Sequence, residues 1–375
     1  MGKRKAATES TREGEEKKQD RSIVLYERRD KDALMHISEL QLPPEVEGPI
    51  GAIAAEYATV LKKGTQKLKS RDMVVYRPRE YEKGRVYGQG LQSIRGWVRR
   101  IVSYKYYHDL DIVNCAPTLL MHIAQTKLGH CPWMLREYVE NRAGVFSQFR
   151  SEYSQCAPLT DSHMKKLFLV GIHGGRHTSA ANLKEGGLPV DFPVVEGLAR
   201  WEKSIRKLAR KLKRHPDYVE LATRINQDGT NQNKEDTFVS HVWQERENTV
   251  LLSLLSFFQV HTRHMPGVLV FDGLQVERVV EQGPIDDGIL RATEKSVCDL
   301  YHIEHFALAE KSLVQTRKTH SVSGGRKIWS GSWMCSSGWF LAKYRTEVVS
   351  VGWEDFDNSC PEVVAHQHSD TVRSG

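Results

Sequence analysis

Apolar and polar residues recur along this chain in patterns that predict an α+β protein. An apolar-alternating run ends at Asp111, and an apolar run with helical spacing follows it. The helix Pro117–Lys127 carries Pro117 in its first turn, where a missing N–H costs nothing. Helices are also predicted at Leu135–Tyr153, at Asp161–Gly171 and at Phe192–Arg214, the last stopped by Pro216. Val239–His261 is a further helix, apolar enough to be internal. Val268–Val270 and Leu274–Val280 read as strand–turn–strand with Asp272-Gly273 as the turn signal. Residues 284–315 read as helical and then a short strand, and residues 32–68 as helical with a break from Leu40 to Pro44. Residues 71–107 are mixed and rich in Arg, Tyr and Gly. Beyond about Thr316 the periodicity fades; Trp329, Trp333 and Trp339 follow no pattern, so 318–375 is expected to be poorly ordered.

The 375 residues, 39% of them hydrophobic, suffice for one large core or two modest ones. Residues 1–22 hold almost no apolar side chains and read as a disordered charged tail. A net charge of +7 makes a polyanion a natural partner, although a basic tail on an ordinary protein gives the same sum. The six cysteines include no close CxxC pair, so neither a zinc knuckle nor a disulfide framework is suggested and a reducing, intracellular compartment fits. Lys3-Arg4-Lys5 with Lys17-Lys18 is compatible with a split nuclear-import signal or with a merely solvated tail. The longest apolar candidate for a membrane span, Thr249–Val260, is too short and carries Ser253 and Ser256. No membrane partner, signal peptide or myristoylation pattern is expected.

Two aspartates draw the chemistry together. Asp111 ends one strand, and Asp272 follows Val268-Leu269-Val270-Phe271. Carboxylates on the rims of two strands can hold a pair of divalent metals, the usual apparatus of phosphoryl transfer. Read singly, Asp111 could instead cap the helix before Pro117, and Asp272 could serve only a hairpin turn. Asp109 shares a strand face with Asp111 and is its rival.

A longer series of residues sharpens this. Lys83-Gly84-Arg85-Val86-Tyr87, Leu91-Gln92-Ser93-Ile94, Arg99-Arg100-Ile101, Tyr107 and Asp111 resemble, in order and spacing, the stretch leading into the first catalytic motif of family A DNA polymerases. Asp111-Ile112-Val113-Asn114 and Pro117 also look like the corresponding motif of family B polymerases. Lys165-Lys166 through Gly171, His173-Gly174-Gly175 and Arg176 resemble a reduced second motif, with Lys166 matching the lysine that contacts the incoming triphosphate. Phe271-Asp272-Gly273-Leu274, flanked by Val270 and Glu277, stands where the third motif belongs. The resemblance covers about residues 80–280.

The resemblance implies a polymerase palm-like antiparallel sheet backed by helices, with a helical fingers segment. Catalysis would rest on Asp111 and Asp272 holding two Mg2+ ions, with Mn2+ as a substitute. Nucleotide binding would fall to Lys165, Lys166, Gly171, Gly175, Arg176 and Ala116. DNA primer-template, or RNA, and nucleoside triphosphates would be the partners, with a helicase or processivity partner compensating for a short thumb. Departures from the family bear on the substrate. Ala116 stands where the family has a glutamate that walls off the ribose 2′-hydroxyl, and Gly174 where it has a cooperating tyrosine. Asp161 or Ser162 occupies the place of a phosphate-binding arginine, for which Arg176 or His173 could substitute. A primase or RNA polymerase with weak sugar discrimination, a palm that only binds nucleic acid, and a nuclease therefore stay open beside the favoured DNA polymerase.

Lys203, Arg206, Lys207, Arg210, Lys211 and Arg214 form a basic stripe at helical spacing opposite Ile205, Leu208 and Leu212. That stripe suits a template or primer phosphate track, or is simply a solvated face. Arg85, Gln92, Arg99 and Arg100, among interleaved tyrosines, are further candidate nucleic-acid contacts. Gln244-Glu245-Arg246-Glu247-Asn248 reads as a solvated first turn of its helix, the alternative being that Glu247 and Asn248 point toward the site, and zinc ligation by His173 and His177 lacks partners. The expected organisation is a tail at 1–22, a helical thumb-like region at 23–79, palm and fingers at 80–317, and the C-terminal region at 318–375.

Overall fold

The computed structural model describes residues 22–30, 72–78, 84–93, 99, 102–189, 191–229, 234–279 and 284–311, and the backbone of short strands at 315–318, 331–334 and 340–342. The expected tail at 1–21, the expected helix at 32–68, Arg100 and most of 318–375 lie outside these residues.

The sheet that carries Asp111 has four antiparallel strands. They are β4 (Tyr107–Ile112), β5 (Pro266–Val270), β6 (Gly273–Glu277) and β7 (Leu308–Lys311), in the order β5-β6-β4-β7. Five of the six side chains of β4 are buried, the sixth being Asp111 itself, because strands flank it on both edges and helices cover the sheet. A second sheet, β1 (Ile23–Glu27), β2 (Asp72–Pro78) and β3 (Val86–Tyr87), docks on it. The Leu269 amide donates to the Tyr76 hydroxyl (3.3 Å), and the Arg28 amide donates to the Tyr107 hydroxyl (2.6 Å). Both described ends of the region expected to be helical, 23–79, are therefore strands. The remaining strands β8 (Gln315–Lys318), β9 (Gly331–Met334) and β10 (Phe340–Ala342) form a third small sheet.

Nine helices are described. Helix α1 (Cys115–Leu128) is buried on all sides through Ala124, which is why its sequence is apolar without a polar stripe. It ends at Gly129, whose φ of 68° lies where a glycine carries no Cβ penalty. The predicted helix 135–153 is two, α2 (Trp133–Glu140) and α3 (Arg142–Glu152). Asn141 divides them: its carboxamide oxygen accepts from the Gly144 amide at 3.1 Å and caps the second. Helix α4 (Asp161–Ile172) is capped by Thr160, and α5 (Ala180–Gly186) follows.

Helix α6 (Glu196–Leu212) starts four residues later than predicted, since Pro193 holds Phe192 out of the helical region. Pro216 does not merely stop it. It occupies the first turn of α7 (Pro216–Gln227), a helix the apolar pattern did not reveal. Helix α8 (Lys234–His261) runs through the interior, and α9 (Asp287–Tyr301) ends at His302, which takes a left-handed φ of 54°. The predicted helix 284–315 is thus cut short, and β7 lies within its range. The α+β class is as expected: the four-stranded antiparallel sheet is backed by α8 and α9, and α1 packs on α8.

Candidate active site

Asp111 and Asp272 reach the same end of the sheet because β4 and β6 are hydrogen-bonded neighbours. Asp111 pairs with Gly273, and the Ile112 amide donates to the Asp272 carbonyl at 2.9 Å. The tight hairpin is Phe271-Asp272, with Val270 opposite Gly273, rather than the expected Asp272-Gly273. Gly273 opens β6, where an added Cβ would stand 2.3 Å from the Leu110 carbonyl oxygen. The close approach of two backbones, not the turn, demands that glycine. Phe271 carries the turn's positive φ (42°), a conformation unusual for an aromatic residue and held by its surroundings.

Those surroundings centre on Arg85. Its guanidinium lies 5.1 Å from the ring of Phe271 and 5.1 Å from that of Trp243, and it donates twice to Glu247, at 2.6 and 2.8 Å. Tyr87 meets Phe271 edge-on at 6.4 Å. Arg85 therefore faces inward and supports the Asp272 hairpin. Glu247 is fully buried near the middle of α8, because the helix begins at Lys234 and the expected solvated turn lies well inside it. Burial raises the Glu247 pKa most; Asp272 and Asp111 raise it further against the lowering effect of Arg85.

Asp111 has its carboxyl pushed up to about 6, first by burial, then by the neighbouring charge of Asp272. Lys311 opposes the shift: its ammonium is 2.6 Å from Asp111 Oδ1. Asp109, 5% exposed, adds a smaller raising effect. Lys165 lies within electrostatic reach of both aspartates. Desolvation lowers its pKa most, and Arg142 and Lys311 lower it too, while Asp111 and Asp272 work the other way. Arg142 donates to the side-chain oxygen of Asn114 (3.3 Å), whose left-handed φ of 55° turns the chain from β4 into α1.

The remaining sequence candidates divide. Lys166 departs from its neighbour Lys165 and lines a separate groove of about 1140 Å3 with Gly174, Gly175, Arg176 and Arg206. Gly171 faces the core: a Cβ there would meet the Trp201 indole nitrogen at 2.4 Å, and that nitrogen donates to the Phe168 carbonyl. Gln92 is buried, its amide oxygen accepting from the Gly88 amide and its nitrogen donating to the Val86 carbonyl, so it clamps its own loop. Arg99 donates to the Gln92 carbonyl at 3.4 Å. Ala116 is buried in the first turn of α1. Lys203, Lys207 and Arg210 are exposed along α6, whereas Arg206 is half-buried beside Glu202. His177 has both ring nitrogens engaged, with Nδ1 against Glu202 and Nε2 accepting from the Val195 amide.

Lys311 and Arg142 had no signal in the sequence, since one fell in a stretch read as helix and the other inside an unbroken predicted helix. Among the described residues no group of three or more His, Cys, Asp or Glu side chains gathers as a metal cage. Asp111 and Asp272 alone fit Mg2+ through their chemistry: oxygen donors on one rim, mutually repelling, leaving other coordination positions to phosphates and water. Among the described residues no helix is long and apolar enough to cross a membrane.

No protein-family model matches the chain, and no curated protein sequence is significantly similar to it. Solved structures similar to it include the polymerase domain of Pol1 from M. smegmatis in complex with DNA primer-template and dNTP, at 14% identity and a TM-score of 0.44. The alignment covers 75% of this chain, which spans 55% of that one.

Proposed function

We propose that this chain carries out template-directed nucleotidyl transfer on a DNA primer-template, as a family A-like DNA polymerase whose site is built on Asp111 and Asp272. The observation that carries the reading is their meeting at one end of the sheet, Asp111 on β4 and Asp272 in the turn that leads into β6, 161 positions apart in sequence (272 − 111), with the Ile112 amide on the Asp272 carbonyl. The sequence motifs around Asp111 and Asp272 support the same reading.

In this reading Asp111 and Asp272 hold Mg2+, which when bound lowers the pKa of an attacking 3′-hydroxyl and offsets charge on the departing oxygens. Lys165, within reach of the carboxylates, and Arg142, held on Asn114, offset the charge of a triphosphate. Arg85 and Glu247 hold the Phe271-Asp272 hairpin so that Asp272 keeps its place against β4. The exposed cations of α6 give nucleic-acid phosphates a surface to follow.

Primer extension with Mg2+ tests the proposal by comparing the wild type with Asp111→Ala and Asp272→Ala. Extension by the wild type alone is expected, and extension that survives either substitution rejects the site.

A second reading, weak discrimination between ribose and deoxyribose, is favoured by Ala116 and Gly174. At Gly174, with φ at 84°, an added Cβ would lie 2.7 Å from the Asp236 backbone, so no bulky side chain fits there. Parallel incorporation of ribo- and deoxyribonucleotides decides it; strong preference for deoxyribonucleotides removes this reading.

A further inference from the structure

Among the described residues Lys311 is a cation in direct contact with Asp111, and its strand is anchored on both sides of the contact. Strand β7 pairs with β4 so that Lys311 lies opposite Asp109 and Ala309 opposite Asp111. Its neighbour Glu310 is held by His108 Nδ1 (2.6 Å), the Ile285 amide (2.9 Å) and Arg278 (3.9 Å). That anchors the strand at the residue before Lys311. The Lys311 side chain is still 41% exposed, so the ammonium can leave Asp111 without disturbing β7.

The electrostatic situation gives this contact a purpose. Asp111 lies opposite Gly273, next in the chain to Asp272, so two acidic residues of like charge share one end of the sheet. One positive charge 2.6 Å from Asp111 Oδ1 relieves that conflict with an atom of the chain itself. A divalent cation bound by Asp111 takes the same carboxylate, and an ammonium and a metal ion on one carboxylate repel each other.

We infer that Lys311 is a built-in counter-ion that occupies the cation position at Asp111 and must be displaced before a divalent metal binds there. This rests on the proposed reading of Asp111 and Asp272 as metal ligands. Lys311 is then a positioning residue: it keeps the two carboxylates together without metal and sets the metal concentration at which the site fills. Once displaced, its ammonium is free to meet an anionic group of the substrate from the β7 side.

Titration of the full chain with Mn2+, followed by calorimetry and by the electron paramagnetic resonance of the free ion, tests this without any turnover. Lys311→Met is expected to bind Mn2+ about fivefold more tightly than the wild type, the value of an exposed ion pair expressed as affinity. Its metal-free melting temperature is expected to fall and to recover on adding Mn2+. Lys165→Met removes a cation that acts on Asp111 through the electrostatic field, and is expected to shift affinity less. Equal Mn2+ affinity in wild type and Lys311→Met overturns the inference and leaves the metal site standing. An equal shift in Lys165→Met also overturns it, because the general field and not occupancy would then be responsible. Absence of Mn2+ binding in all three proteins overturns both the inference and the metal-site reading beneath it. Lys311→Gln serves as a second variant, so that misfolding of one substitution does not decide the outcome.

Discussion

Arg85 and Glu247, separated by 162 positions, are joined by two hydrogen bonds of 2.6 and 2.8 Å, with Glu247 fully buried. The pair ties the strand–loop region before β4 to the middle of α8. Through the Arg85–Phe271 contact it also reaches the hairpin that carries Asp272. Removing one partner leaves a buried charge uncompensated. Glu247→Ala is expected to destabilise the protein by about 3–5 kcal/mol in urea unfolding. Arg85→Lys keeps the charge but loses the double hydrogen bond and the planar stacking, so a smaller loss with reduced extension is expected.

Gly273→Ala tests whether the spacing of β4 and β6 sets the site. The new methyl meets the Leu110 carbonyl oxygen, a backbone atom that cannot rotate away. A loss of about 1–3 kcal/mol is expected, together with weaker primer extension as Asp272 is pushed from Asp111. Stability loss with full activity per folded molecule would show that the two strands can part without harm.

Asp272→Asn is expected to raise stability while abolishing extension. It removes the charge that acts on Asp111, and relieving such a conflict at a functional site gives about 0.5–2 kcal/mol. The gain should appear in metal-free buffer and shrink with added Mg2+. A destabilised Asp272→Asn would argue that the carboxylate serves the turn instead.

His122, buried in α1, has its pKa lowered to about 4 by burial first and then by Arg246 and His302. The folded form keeps the ring neutral, while the unfolded chain protonates near pH 6.5. Its contribution is therefore present above about pH 6.5 and is lost as pH falls toward 4. Wild-type stability should drop by roughly 2 kcal/mol between pH 7 and pH 5, and His122→Gln should drop by less. Parallel urea melts at pH 7 and pH 5 measure the difference.

Much of the helical framework was legible because periodicity records which face of a helix is covered. Ile205, Leu208 and Leu212 are buried in α6 as their spacing predicts. The misread stretches failed where a local signal has two meanings. Asn141 can sit within a helix or cap the next one, and Pro216 can end a helix or begin one. At 284–315 the pattern announced a helix and then a strand but placed the boundary too late, since a short strand leaves no period of its own.

By itself the sequence determined the α+β class, most helices, the strand ends bearing Asp111 and Asp272, and their likeness to polymerase motifs. These are local matters, written in spacing and residue type. Only the tertiary structure decided which groups meet: Lys311 on Asp111, Glu247 on Arg85, Lys165 within reach of the carboxylates, and Lys166 in the groove with Arg176. Adjacent lysines on a helix point about 100° apart, so the packing of α4 against α6 chooses between them. Strand order then brings β7, remote in sequence, beside β4, and no pattern within either segment encodes that pairing.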